Sequence, residues 1–143
     1  MTIETNKAIL VRYFNEVLNQ GHLEVIDEIY TNDYKLDAPI RSDGSSLARG
    51  ITQGREQLKQ RILLFRTGFP DIHFNMDEII GEKDTVVVRY TYRGTHLGLF
   101  AGVEPSGCSI SIPGILVAHL IAGKIHEALS AFDSAELMKQ LSC

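Results

Sequence analysis

With 143 residues, 44% of them apolar and 22% charged, the chain has the length of one domain, 1–143, and enough apolar matter for a single core without metal or disulfide. Fourteen Lys and Arg against eighteen Asp and Glu leave a net charge of -4, which argues against nucleic acid as a partner. The longest apolar runs, Ile110–Ile112 and Gly114–Ala122, are shorter than the ~20 residues of a membrane span, and Met1-Thr2-Ile3-Glu4 lacks the charged-then-apolar form of a secretion signal, so a cytoplasmic protein away from membranes is expected.

Thr5 is placed to cap a first helix in which Ile9, Leu10, Tyr13, Phe14, Val17 and Leu18 make one apolar stripe, with Gly21 as the stop. A shorter helix follows, with Leu23, Ile26, Ile29 and Tyr30 on its buried side. Asp33 to Pro39 reads as extended, since Pro39 pushes Ala38 out of helical space. Arg41 to Gln53, rich in Ser, Gly, Arg and Asp, reads as a mobile loop and a lid. Gly54-Arg55-Glu56-Gln57 opens a third helix, with Leu58, Ile62, Phe65 and Phe69 inward, Lys59, Arg61 and Arg66 outward, and Gly68 and Pro70 at its end. The period then changes to two. Strands are expected around Ile72–Met76, Val86–Tyr92, Ile110–Ile121 and Ile125–Phe132, with a loop from Leu97 to Cys108 and a tight turn at Ala122-Gly123. A short helix, Ser134 to Leu141, closes the chain. Three helices, a four-strand antiparallel meander and a last helix make an α+β fold with helices on one face of the sheet.

Such a sheet curls and leaves a cone open at one end, which is the place to look for chemistry. Asp133, following Ala131-Phe132, is either a carboxylate raised in pKa by desolvation and fit for acid/base work, or the cap in the capping box Asp133-Ser134-Ala135-Glu136. Asp37 is either a pocket base or a turn residue bonding its own backbone. His96, at a strand end, is either a proton carrier at the rim or a solvated loop residue; His119, among apolar neighbours, either faces the cone or packs in the core. Tyr13 lies on the first helix's apolar stripe, where its hydroxyl either donates to a ligand oxygen or serves the core, and Tyr90 and Tyr92 share one face of their strand. The glycines at 98, 102 and 107 do not make a phosphate cradle, Cys108 has no base beside it, and no His, Cys or carboxylate group has metal spacing. Cys108 and Cys143 are expected as free thiols in a reducing cytosol. The expectation is acid/base work without metal or cofactor.

In order along the chain, Asn6-Lys7-Ala8, Tyr13-Phe14-Asn15-Glu16-Val17, Asn19-Gln20-Gly21, Gly54-Arg55-Glu56, Phe69-Pro70-Asp71, Gly94-Thr95-His96, Gly123-Lys124-Ile125 and Phe132-Asp133 resemble the SnoaL-like polyketide cyclase family of the nuclear-transport-factor-2-like superfamily, over nearly the whole length. The resemblance implies a cone-shaped α+β barrel in which a curved antiparallel sheet wraps the N-terminal helices. It also implies a small homo-oligomer, dimer or tetramer, and a deep pocket where a polyketide ring is closed by intramolecular aldol condensation without a cofactor. By the same resemblance Asp133 is the base and His119 its partner, Asp37 stands where many members have a polar pocket residue, and His96 keeps the Gly-Thr-His. Members commonly carry Trp four residues before the final aspartate, where this chain has Leu129, and polar residues at the places of Leu116 and Ser130, so a ligand other than an aromatic polyketide is expected. Counted from the turn, His119 falls near His126 and Asp133 opposite the 112 region. At ~3.3 Å per residue that separates them by over ~20 Å and keeps His96 as a candidate partner.

Three functions stay open. The first is acid/base cyclisation or isomerisation of a small apolar carbonyl compound, with Tyr13 donating to the developing oxyanion. The second is a non-catalytic ligand-binding or dimerisation module. The third is epoxide-type ring opening by a water held between Asp37 and Asp133.

Overall fold

A computed structural model of the chain describes residues 2–41, 44 and 46–143; Met1 and three positions of the expected lid, Ser42, Asp43 and Ser45, lie outside the described residues. Helix α1 (Ile3–Arg12) begins earlier than expected because Thr2, not Thr5, is its cap. Thr2 Oγ1 accepts from the Thr5 amide at 3.1 Å and Thr5 Oγ1 accepts from the Thr2 amide at 3.0 Å, closing a reciprocal box. The apolar stripe continues through a π-helical stretch, Tyr13–Asn19, that buries Tyr13, Phe14, Val17 and Leu18. After a 3-10 turn at Leu23–Val25, α2 is only Ile26–Ile29, and Tyr30, expected on that helix, already opens strand β1 (Tyr30–Ala38).

A second strand, β2 (Gly50–Gln53), lies inside the segment read as loop and pairs antiparallel with β1 from Lys35↔Gln53 to Ala38↔Gly50. Helix α3 (Gly54–Gly68) follows, then β3 (His73–Glu82), β4 (Thr85–Thr95), β5 (Ser109–Ile121), β6 (Lys124–Phe132) and α4 (Ser134–Gln140). The meander β3 to β6 is as expected, but the sheet has six strands in the order β2-β1-β6-β5-β4-β3. Because β1 runs parallel to β6, the sheet is mixed and not antiparallel throughout. Its pairing, such as Tyr30↔Ile125, joins segments at opposite ends of the chain, so no local pattern announces it. Register shifts between Met76 and Glu78 and between His119 and Leu120 bend the strands, giving a curved, open sheet around the helices. Along β5 the alternation is regular: Ile110, Ile112, Gly114, Leu116, Ala118 and Leu120 are buried on the inner face.

The free-thiol expectation is overturned: Cys108 and Cys143 form a disulfide, with Cα atoms 5.7 Å apart. Leu137 and Leu141 are buried and Gln140 bonds both the amide and the carbonyl of Ser111, so α4 is laid against the start of β5 and carries the last residue to Cys108. Disulfides persist in oxidising surroundings, and the argument for a reducing cytosol loses its support with the thiols paired. Among the described residues no helix is long and apolar enough to cross a membrane.

Candidate functional site

The inner face of the sheet, α3 and the first helical segment line a cavity of about 60 Å³. Its walls are aromatic. Tyr13 and Phe14 come from the π-helical stretch, Tyr34 from β1, Phe65 from α3, Phe74 from β3, and Tyr90 and Tyr92 from β4. Phe74 lies 5.0 Å and Phe65 5.9 Å, centroid to centroid, from Tyr92, and Phe14 lies 5.9 Å from Tyr90, so the rings brace one another.

One polar pair is built into this wall. Tyr90 Oη and Ser130 Oγ are 2.7 Å apart and buried. Tyr90 stands opposite Gly114 on β5, and Gly114 opposite Phe132 on β6. A Cβ at 114 would meet the Tyr90 ring at 2.5 Å, so glycine there lets the phenol cross β5 and reach Ser130 on the far strand. Burial raises the pKa of Tyr90 and the Ser130 bond opposes the rise in part, so the phenol stays protonated at neutral pH. Burial likewise pushes the Tyr13 phenol up to about 12 and those of Tyr34 and Tyr92 well above the ordinary value. The Tyr92 hydroxyl is fully buried and has no hydrogen-bond partner among the described residues.

Arg61 was expected to face outward and does the opposite. It is 7% exposed and lines the cavity, where its side chain makes one hydrogen bond among the described residues, from Nη1 to the Ile40 carbonyl at 2.6 Å. The guanidinium sits 5.4 Å over the Phe65 ring. Ile40 has φ of 71°, a left-handed conformation that is costly for a β-branched residue, on the order of 1–3 kcal/mol, and it turns its carbonyl toward the arginine. Burial works against the charge on Arg61 and lowers its pKa, though a guanidinium stays protonated in proteins. Arg66 also reaches the cavity, but its Nη1 is committed to the carbonyls of Leu18 at 2.9 Å and Asn19 at 3.3 Å. Among the described lining residues there is no carboxylate and no imidazole.

Of the residues singled out from sequence, Tyr13, Tyr90 and Tyr92 line the cavity, and Asp133, His119, His96 and Asp37 do not. Asp133 is exposed and caps α4, its Oδ1 accepting from the Glu136 amide at 2.9 Å. His119 is exposed on the outer face of β5, with Nδ1 3.0 Å from Thr85 Oγ1. It pairs with Glu127, while Phe132, next to Asp133, pairs with Gly114, so His119 and Asp133 stand at different levels of the sheet. His96 is buried but serves its loop: the Ser106 amide donates to Nδ1 at 3.1 Å, which places the proton on Nε2, and that atom is sealed without a partner among the described residues. Asp37 points to the outer face, where its carboxylate pairs with Arg49 at 3.1 Å. Leu129 is on that outer face too, 46% exposed, so the residue at the position of the family's Trp does not wall this cavity.

Arg61, Tyr34 and Ser130 were the residues missed. Leu58, Arg61, Ile62 and Phe65 follow the i, i+3, i+4, i+7 pattern of one helix face, so position 61 belonged to the buried stripe despite its charge. Ser130 alternates with buried Ala128 on β6, and Tyr34 with Leu36 and Ala38 on β1.

A cone-shaped α+β fold with an aromatic cavity and a few inward polar groups is a small-molecule-binding class of fold. The profile of the SnoaL-like polyketide cyclase family matches residues 8–141, and the chain belongs to that family. Among solved structures it is similar to a provisionally named SnoaL-like polyketide cyclase from Jannaschia sp. CCS1, at 24% identity and a TM-score of 0.87, covering 100% of this chain and 96% of that one. TsrD from Streptomyces laurentii matches at 19% identity and 0.83, covering 99% and 97%, and IdmH from Streptomyces antibioticus at 23% and 0.79, covering 96% and 99%. At these identities the likeness establishes the fold. No curated protein sequence matches the chain.

Proposed function

We propose that the cavity takes up a small, mostly apolar carbonyl compound and polarises its oxygen, serving cofactor-free cyclisation or isomerisation of the kind the family name denotes. The observation that carries this reading is the buried Tyr90–Ser130 pair in an otherwise aromatic wall. When Ser130 donates to the Tyr90 oxygen, the phenol O–H is free to donate to a ligand carbonyl, and each bond strengthens the other. Negative charge developing on that oxygen as water or hydroxide from solvent takes the α-proton is then met by a preformed donor in the aromatic wall. Tyr13, held protonated by burial and hydrogen-bonded to Tyr30, brings a second phenol to the same lining. Asp133 acts in this reading as a helix cap. The water-activating pair of Asp37 and Asp133 that ring opening needs finds no support, since neither lines the cavity.

Two variants test this. With an aryl ketone in deuterated buffer, Tyr90→Phe is expected to slow enzyme-promoted α-proton exchange by roughly 10²-fold; an unchanged rate overturns the role of the phenol. Asp133→Asn is expected to leave exchange and melting nearly unchanged, because an Asn side chain caps as well as Asp, while Asp133→Ala loses about 1 kcal/mol of stability. A fall of 10²-fold in Asp133→Asn, with the fold intact, returns the base to Asp133. The second reading is a non-catalytic binder, favoured by the exposure and capping bond of Asp133; it predicts binding of the ketone with no acceleration of exchange.

The outer face of the sheet supports a homodimer as the partner reading. Ile51, Leu129, Val117, Val87 and Ile80 stand in one cross-strand row, interrupted only by Asp37, with Ile115 one pleat away. Ile51, Ile80, Ile115 and Leu129 are each about half exposed in the single chain, which is more apolar surface than scattered residues leave. Light scattering is expected to give twice the chain mass, and Leu129→Lys with Val117→Lys to give one chain mass; a monomeric wild-type protein removes the reading.

A further inference from the structure

We propose that the ligand of this cavity is a small anion, an apolar ring or short chain bearing one carboxylate or equally charged oxygen, seated between Arg61 and the Tyr92 hydroxyl. The inference rests on the reading that the cavity takes a small carbonyl compound, and it names that compound's charge.

Two independent observations carry it. Arg61 places a buried cation on a wall whose other described polar groups are Arg66, phenols and one serine, with no acidic group among them. Its guanidinium has five N–H donors, and one bond, to the Ile40 carbonyl, is made among the described residues. A carbonyl oxygen offers a dipole and no counter-charge, so the positive charge is held in place and left to be neutralised from the cavity side. The second observation is the hydroxyl of Tyr92, a side chain that lines the same cavity: it is fully buried and without a partner among the described residues, in a protein interior where buried hydroxyls are as a rule bonded. A planar carboxylate answers both needs, taking charged N–H bonds from the arginine and an O–H bond from the tyrosine. Arg66 also lines the cavity, but its Nη1 is taken by the carbonyls of Leu18 and Asn19, so Arg61 is the arginine to replace first.

Benzoate and benzamide have nearly the same shape and differ in charge, so titration calorimetry of both against the intact protein reads the inference without any mutation. Benzoate is expected to bind at least about tenfold more tightly at low ionic strength, with the preference shrinking as salt is added. In Arg61→Gln the preference is expected to vanish, in Arg61→Lys to survive in part, and in Tyr92→Phe benzoate is expected to weaken several-fold while benzamide changes less. Equal binding of the two ligands to wild type overturns the anion proposal and leaves the carbonyl reading standing. Binding of neither overturns both. A benzoate preference kept in folded Arg61→Gln moves the charge away from Arg61 and also overturns the proposal.

Discussion

Replacing Cys143 by Ser is expected to lower the stability of the protein by roughly 4 kcal/mol, the chain-entropy cost of opening a closed loop of this length. The bonded residues are 35 positions apart, and the loop they close contains all of β5 and β6. A loss of that size lowers the melting temperature by about 12 °C in a domain of this length. Reductant added to the wild-type protein should produce the same drop, and the native protein should titrate with no free thiol. The packing of Leu137 and Leu141 and the Gln140–Ser111 bonds remain in the variant, so α4 should stay docked in the cold and detach early on heating. Identical melting curves with and without reductant, or two titratable thiols in the folded protein, would remove the disulfide from the stability of this fold.

The second large effect is an alkaline transition. All five tyrosines, Tyr13, Tyr30, Tyr34, Tyr90 and Tyr92, are buried, and burial raises the pKa of each above the ordinary value of 10.0. A phenol with a raised folded-state pKa keeps its proton in the folded chain after the unfolded chain has lost it. Its stabilising contribution is therefore whole below about pH 10 and declines as pH rises toward the folded value. For Tyr13, pushed up to about 12, that decline is about 3 kcal/mol, and the other four act in the same direction. The ultraviolet absorbance of phenolate should therefore show almost no ionisation around pH 10 and then a single cooperative rise coincident with loss of the helical signal. A gradual titration of several tyrosines near pH 10 with the fold intact would show the cavity to be open to water.

The residue patterns that depend on neighbours along the chain carried most of the architecture. The stripe from Ile9 to Leu18, the alternation in β3 to β6, the turn at Ala122-Gly123 and the cap at Asp133 are local, and each appears where the spacing places it, though Glu136 bonds Gln140 and does not close the expected box back to the Asp133 amide. The cap of α1 moved from Thr5 to Thr2 because the box is reciprocal and either threonine satisfies the spacing seen from one side. For Asp133 both roles were legible, base or cap, and the choice turned on which way one carboxylate faces, which the outward end of β6 decides.

Arg61 shows the opposite case. Its helical phase was readable as buried, with Leu58, Ile62 and Phe65, but a charged residue on a buried stripe makes sense only when its surroundings are known. The same holds for Leu129, whose outward face depends on the register of β6 against β1 and β5.

From sequence alone came the family, the α+β fold class, the helices, the four-strand meander and three of the cavity's tyrosines, because periodicity, capping and turn chemistry act within a few residues. Tertiary structure alone decided that β1 joins β6 in parallel, that Cys108 meets Cys143, that the histidines and aspartates stand outside the cavity, and that Arg61 stands inside it. Each of those depends on groups brought together from distant parts of the chain, where burial and pairing outweigh what any one residue prefers by itself.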